Sequence, residues 1–185
     1  MRCLFLLLLL PFTSFGQHAM ETRMVLDFSN AAAMGEWAII NDVVMGGESS
    51  SAFEFTEDGT AIFSGTVSLE NNGGFASTRS RPQSFELGGF KGMRLMVRGD
   101  GKTYQLRLRT SDGFDGIAYQ DTFSTEADTW TAVDVDFDTL QPSFRGRRVP
   151  DAPPFDPSSI RQIGLLIADK QSGPFALEIR SVEAY

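Results

Sequence analysis

Hydrophobic residues in this chain recur at every second position, and almost nowhere at the 3.6-residue spacing of an amphipathic helix. A period of two sends side chains alternately to opposite faces of an extended strand, so each such segment has one face to bury and one to leave in water. Phe63, Gly65, Val67 and Leu69 share a face in this way. Met93, Leu95 and Val97 do so ahead of Gly99-Asp100-Gly101, and Tyr104, Leu106 and Leu108 do so after it, which predicts a hairpin turning at those glycines. Val133, Val135 and Phe137 alternate with Trp130, Ala132 and Asp134, which puts Trp130 in a core strand. Ile163, Leu165 and Ile167 give another strand, and Phe175, Leu177 and Ile179 the last long one.

About ten or eleven such segments, punctuated by Gly, Asn and Asp, predict an all-β fold: a jelly-roll β-sandwich of two antiparallel sheets burying their inner faces against each other. The one helical candidate is an Ala-rich turn over Ser29 to Met34. Gln141 to Pro157 holds five of the eight prolines and is expected to be a long ordered surface loop, because proline removes ladder donors.

A chain of 185 residues with 42% hydrophobic content is long enough to bury a core without disulfide staples. Arg2, the apolar run Leu4 to Leu10 and the Ser14-Phe15-Gly16 exit read as a signal peptide over residues 1–16, leaving one jelly-roll domain over 17–185. The expectation is therefore an exported chain, periplasmic or secreted, that does not itself span the membrane. Cys3, the only cysteine, would leave with the signal, so no lipid anchor is expected. The formal net charge of −8 argues against nucleic acid as a partner.

His18 is the only histidine and sits beside the expected cleavage point. Ser-His-Asp and Cys-His nucleophiles and His/Cys zinc sites are thereby removed, and no Ser-x-x-Lys or Gly-x-Ser-x-Gly stands in for them. Gly99-Asp100-Gly101-Lys102-Thr103 ends like a phosphate-binding loop, but Met96 stands where its first glycine belongs. Carboxylates are abundant enough for a glycoside hydrolase pair, with solvated surface acids as the competing explanation. No catalytic residue and no cofactor is assigned. Asp112-Gly113-Phe114-Asp115-Gly116 could offer oxygens to calcium or be a plain acidic loop.

Three glycine-rich segments carry more paired polar residues than turns need. They are Asn41-Asp42-Val43-Val44-Met45-Gly46-Gly47, Asn71-Asn72-Gly73-Gly74-Phe75-Ala76-Ser77 and Asp169-Lys170-Gln171-Ser172-Gly173-Pro174-Phe175. With Arg98-Gly99-Asp100-Gly101 and Phe144-Arg145-Gly146-Arg147, they give the region from Val25 to Tyr185 a pattern that resembles the complex I intermediate-associated protein 30 family. The resemblance implies a galactose-binding-like jelly roll and a non-enzymatic assembly role, since members act in mitochondria as assembly factors for respiratory complex I and others are associated with photosystem assembly. A protein partner, such as a membrane-complex subunit, is then the leading expectation. Carbohydrate is the alternative ligand, with Trp37, Trp130, Tyr104 and Tyr119 as candidate stacking faces. The candidate binding residues are Asn41, Asp42, Met45, Asn71, Asn72, Arg79, Arg145, Arg147, Asp169 and Lys170. The three arginines can present bidentate donors to a carboxylate or phosphate, or can pair internally with Asp and Glu.

Overall fold

A computed structural model describes residues 21–30 and 35–185. Thirteen strands are found among them: β1 (Arg23–Asp27), β2 (Trp37–Ile39), β3 (Ser50–Phe55), β4 (Ala61–Val67), β5 (Ala76–Ser80), β6 (Gly92–Arg98), β7 (Thr103–Arg109), β8 (Ala118–Ser124), β9 (Trp130–Asp136), β10 (Gln141–Phe144), β11 (Arg147–Arg148), β12 (Gln162–Ile167) and β13 (Gly173–Ala184). One sheet runs β3-β4-β13-β6-β9, with β1 also on β13, and the other runs β11-β10-β8-β7-β12-β5-β2. Neighbouring strands pair antiparallel throughout, as in the jelly-roll sandwich expected from the alternation. The inner faces carry the residues that the period of two selects: Phe63, Leu95 and Val97, Leu177 and Ile179 from one sheet, and Tyr104, Leu106, Leu108, Ile163, Leu165 and Ile167 from the other. Each such side chain, fully buried, contributes roughly 1.5–3 kcal/mol to folding, so the shared core dominates the stability of the sandwich.

Three expectations are corrected by the pairing. The segments before and after Gly99-Asp100-Gly101 are not a hairpin: β6 pairs with β9 and β13 in one sheet, and β7 with β8 and β12 in the other. The chain crosses between sheets there, and Asp100 ties the crossing down. Its carboxylate accepts from the Lys102 N–H (3.1 Å), the Tyr104 hydroxyl (2.9 Å) and, from across the sandwich, the Ala176 N–H (3.1 Å). Alternation fixes which face a strand buries but not which strand lies beside it, so two consecutive segments with matched patterns look like a hairpin even when they face one another across a core.

The proline-rich stretch contributes two short strands, β10 and β11, at the margin of the second sheet. Pro142 is tolerated within β10 because the two-residue β11 makes this nearly an edge; its carbonyl still accepts from the Val149 N–H at 3.0 Å. Trp130 is not in the core. It is half-exposed, with the Arg98 guanidinium 5.2 Å and the Arg180 guanidinium 4.3 Å from its ring centroid. Cation–π contacts at exposed sites are worth about 0.5–1 kcal/mol each. Trp130→Ala is therefore expected to cost about 1–2 kcal/mol in urea unfolding, short of the roughly 3–5 kcal/mol that a core tryptophan costs. A loss in the higher range would return Trp130 to the core.

The Ala-rich turn expected over Ser29 to Met34 falls mainly on residues 31–34, outside the described residues, as do the signal peptide over 1–16, Cys3 and His18. No helix among the described residues is long and apolar enough to cross a membrane.

Candidate functional site

The outer face of the second sheet carries the side chains that alternate with its core. On β7 these are Gln105, Arg107 and Arg109, set between the buried Tyr104, Leu106 and Leu108. The strand register lines up Arg79 of β5, Gly164 of β12, Arg107 of β7 and Gln120 of β8 as one row across the sheet. Gln162 lies opposite Arg109, and Leu166 lies between Ser77 and Gln105. Two strand spacings, about 9.6 Å, separate the backbones of Arg79 and Arg107, with only a glycine between them. A Cβ on Gly164 would lie 2.8 Å from the Thr78 carbonyl oxygen and 3.1 Å from the Arg79 Cβ, so no side chain fits there. The row is the floor of a cleft of about 510 Å³, within the size range of small-ligand sites.

The walls come from loops. Val44 and Met45 stand on one side, Phe114 and Asp115 on another, and Phe144 and Arg145 on a third. Val44, Met45 and Phe114 are about two-thirds exposed, an unusual concentration of apolar surface for one rim. Arg79 donates to the Phe114 carbonyl (2.9 Å) and lies 4.7 Å from its ring centroid, so it holds that loop against the floor. Arg109 donates to the Gly116 carbonyl at 2.7 Å and anchors the same loop.

Val44 and Met45 are presented by a clasp. Asn41 precedes a single 3₁₀ turn, Asp42–Met45, and the Asp42 side chain points back into the protein, fully buried. It accepts from the Ser49 N–H (2.9 Å) and hydroxyl (2.5 Å), the Gly74 N–H (2.6 Å) and the Phe75 N–H (3.2 Å). Burial by itself would push this carboxyl up; the hydrogen bonds from Ser49, Gly74 and Phe75 outweigh it and hold the group below its ordinary value. Gly47 and Gly73 make room: a Cβ would lie 2.4 Å from the Asp42 Cγ at the first and 2.6 Å from its Oδ2 at the second. The first two glycine-rich segments are thus halves of one structure, with Asp42 at its centre.

The other residues singled out from the sequence divide between cleft and surroundings. Met45, Arg79, Arg145 and Asp169 line the cleft. Arg145 pairs with Asp115 at 2.7 Å and lies 5.2 Å from the Phe144 ring centroid, while Asp169 accepts from the Gln105 amide at 3.3 Å. Asn41 accepts from the Ser51 hydroxyl at 2.8 Å, and Asn71 donates to Glu48 at 3.1 Å. Asn72, Arg147 and Lys170 are exposed and are not among the lining residues. The acidic loop offered to calcium has its carboxylates engaged elsewhere, Asp112 with Arg161 and Asp115 with Arg145, and no group of three or more His, Cys, Asp or Glu among the described residues could hold a metal ion. Three of the four proposed stacking faces are turned inward, Tyr104 and Tyr119 being buried and Trp37 packing on the core with its ring 4.3 Å from that of Phe53, while the fourth, Trp130, is half-exposed under Arg98 and Arg180 and is not among the residues lining the cleft.

Sequence reasoning missed Arg107, Arg109, Gln105, Phe114 and Phe144. The signal was available in Thr103–Arg109, where Gln, Arg and Arg take the outward positions of a strand whose other face is wholly apolar. Arg107 is the most confined: burial, with Arg109 and Arg79 nearby, pushes its guanidinium down to about 10.

The family model for complex I intermediate-associated protein 30 matches residues 26–179, across both sheets and every segment of the clasp. The chain belongs to that family. Mitochondrial complex I intermediate-associated protein 30 from Drosophila melanogaster is 24% identical over 86% of this chain and 61% of its own length. The Mus musculus protein of the same name is 26% identical over 86% of this chain and 55% of its own. The chain thus spans little more than half the length of these family members. An uncharacterised Schizosaccharomyces pombe protein is 30% identical over 80% of this chain and 77% of its own length. These findings correct the expectation of export to the periplasm or beyond: the fly and mouse members are mitochondrial by name.

Among solved structures, a family 11 carbohydrate-binding module of a Clostridium thermocellum cellulosomal cellulase superposes with a TM-score of 0.66 at 15% identity, covering 90% of this chain and 95% of its own. The module in complex with a β-1,3-1,4-mixed-linked tetrasaccharide superposes with a TM-score of 0.60, also at 15% identity, over 88% of this chain and 94% of its own. At that identity the likeness concerns the fold, which in this family member is the galactose-binding-like sandwich of two antiparallel sheets.

Proposed function

We propose that this chain is a non-enzymatic binding module that holds a protein partner in the cleft of its second sheet, in the manner of an assembly factor for respiratory complex I. The observation that carries this is the cleft rim: apolar side chains at Val44, Met45, Phe114 and Phe144 ring a polar floor, as a protein interface surrounds its polar anchors with groups that exclude water. Family membership supports the same partner class. The Asp42 clasp serves this role by holding one side of the rim in place against the sheet.

A photo-crosslinking amino acid in place of Phe114, in the whole chain expressed in its native host, tests the proposal. The expected adduct is a subunit or assembly intermediate of complex I, lost when Met45→Glu puts a charge on the rim. Adducts spread over unrelated proteins, or unchanged by Met45→Glu, would overturn it.

Carbohydrate is the second reading, favoured by the exposed rings of Phe114 and Phe144 at the cleft mouth. Its measurement is calorimetric titration with the mixed-linked tetrasaccharide. Heat that disappears in Phe114→Ala supports a sugar site, and none at millimolar concentration removes it.

A further inference from the structure

We propose, building on the protein-partner reading, that the cleft takes an acidic side chain from an apolar-flanked segment of that partner, and that Arg79, Arg107 and Arg109 form its carboxylate seat. Of the twelve arginines among the described residues seven make no salt bridge: Arg23 donates to the Phe85 and Glu86 carbonyls, Arg147, Arg148 and Arg180 are exposed, and Arg79, Arg107 and Arg109 share the cleft. Arg81, Arg94, Arg98, Arg145 and Arg161 each pair with an Asp or Glu. Arg79, Arg107 and Arg109, the arginines that share one patch of sheet, make no salt bridge among the described residues.

Their donors are barely used. A guanidinium carries five N–H groups, and Arg79 and Arg109 each give one to a loop carbonyl. The Arg107 side chain makes no hydrogen bond among the described residues, and its Nε is buried without a partner. Among the described residues five buried side-chain polar atoms lack partners, and three of them, Arg107 Nε, Gln105 Oε1 and Gln120 Oε1, belong to this floor. Orphaned polar groups gathered at the base of an open cleft mark a place prepared for a ligand group rather than scattered packing faults. A planar guanidinium with free donors suits a carboxylate, which accepts two parallel hydrogen bonds from it.

The surroundings select the kind of anion. Asp115 and Asp169 on the lining, and a net charge of −8 over the chain, oppose an extended polyanion such as a nucleic acid. A single acidic group meets far less of that opposition than a chain of them. The apolar rim at Val44, Met45, Phe114 and Phe144 then meets the residues on either side of it, so the recognised segment has an acidic centre between apolar neighbours.

The test uses two synthetic peptides, one alternating glutamate with leucine and its twin with glutamine throughout, titrated into the whole chain by calorimetry. The glutamate peptide is expected to bind at least tenfold tighter, the gap closing in Arg107→Gln and in Arg79→Gln and narrowing with added salt. Equal binding of the twins, lost in Phe114→Ala, overturns the carboxylate seat and leaves the protein-partner reading standing. Competition by inorganic phosphate at concentrations matching the glutamate peptide overturns it in favour of a small-anion site. Displacement of the glutamate peptide by the mixed-linked tetrasaccharide, with no protein adduct at Phe114, removes the protein-partner reading itself.

Discussion

Asp42→Ala is expected to lower the free energy of unfolding by about 3–5 kcal/mol, the cost of breaking a buried charged network from one side. The substitution leaves the Ser49, Gly74 and Phe75 N–H groups without their acceptor, and Gly47 and Gly73 beside a void that the carboxylate had filled. Water can repair part of this, which is why the expected loss is below the sum of four charged hydrogen bonds. Asp42→Asn keeps the shape but turns an amide donor toward donors, and is expected to lose about half as much. It also serves as the informative variant if the alanine protein does not fold.

The pH dependence separates charge from packing. The carboxyl is held below its ordinary value in the folded state, so its contribution is complete above the unfolded pKa of about 3.9 and is lost as pH falls through the lower folded value. The gap between the native chain and Asp42→Asn should therefore be full at neutral pH and shrink in strong acid. Urea unfolding at both conditions measures it, and a gap independent of pH would show that packing, not charge, holds the clasp.

Arg107→Gln is expected to act in the opposite direction and stabilise the ligand-free protein by about 2 kcal/mol. Burial first, and then Arg109 and Arg79, push the Arg107 guanidinium well below the usual arginine range, down to about 10. A base with a depressed folded pKa destabilises the fold wherever it is charged in both states. The cost is complete below about pH 10 and is relieved as pH rises from there toward the ordinary arginine range. A shift of that size corresponds to roughly 3 kcal/mol at neutral pH, of which about 1 is returned by the lost packing of the arginine stem. The net gain should raise the melting temperature by about 4–8 °C for a chain of this length. A lower melting temperature would mean that Arg107 is satisfied within the fold and has no reason to await a ligand. A gain in stability coupled to a loss of peptide binding is the relation expected of a site that keeps a destabilising charge for function.

Much of this molecule was legible in the chain itself. The period of two decides which side chain of each strand meets the core, since that is a local property of extended backbone; Phe63, Leu95, Leu106, Leu165 and Leu177 are inside as the alternation requires. The glycine-rich pairs were recognisable as special because ordinary turns do not need Asn41-Asp42 and Gly73-Gly74 together, although their sequence separation hid that Asp42 binds both loops. The family pattern was legible for the same reason: it is carried by the clasp, the sheet crossing at Asp100 and the turn at Arg145, where backbone geometry restricts residue type.

Strand neighbours and the cleft were decided only in three dimensions. Nothing local distinguishes a hairpin at Gly99-Asp100-Gly101 from a crossing between sheets, because both need a tight turn and both leave matched apolar faces; burial of β7 beside β12 settles it. Trp130 lies in an alternating strand but shares its parity with Ala132 and Asp134, the outward positions of β9, where Arg98 and Arg180 flank it instead of core packing partners. Arg79 and Arg107 are far apart along the chain and become neighbours in a row only because β5 and β7 flank β12 with Gly164 between them. Residue type and spacing determined the faces and the turns; long-range pairing alone decided which charged side chains would share a cleft, because an electrostatic site depends on distances between strands that the order of residues does not contain.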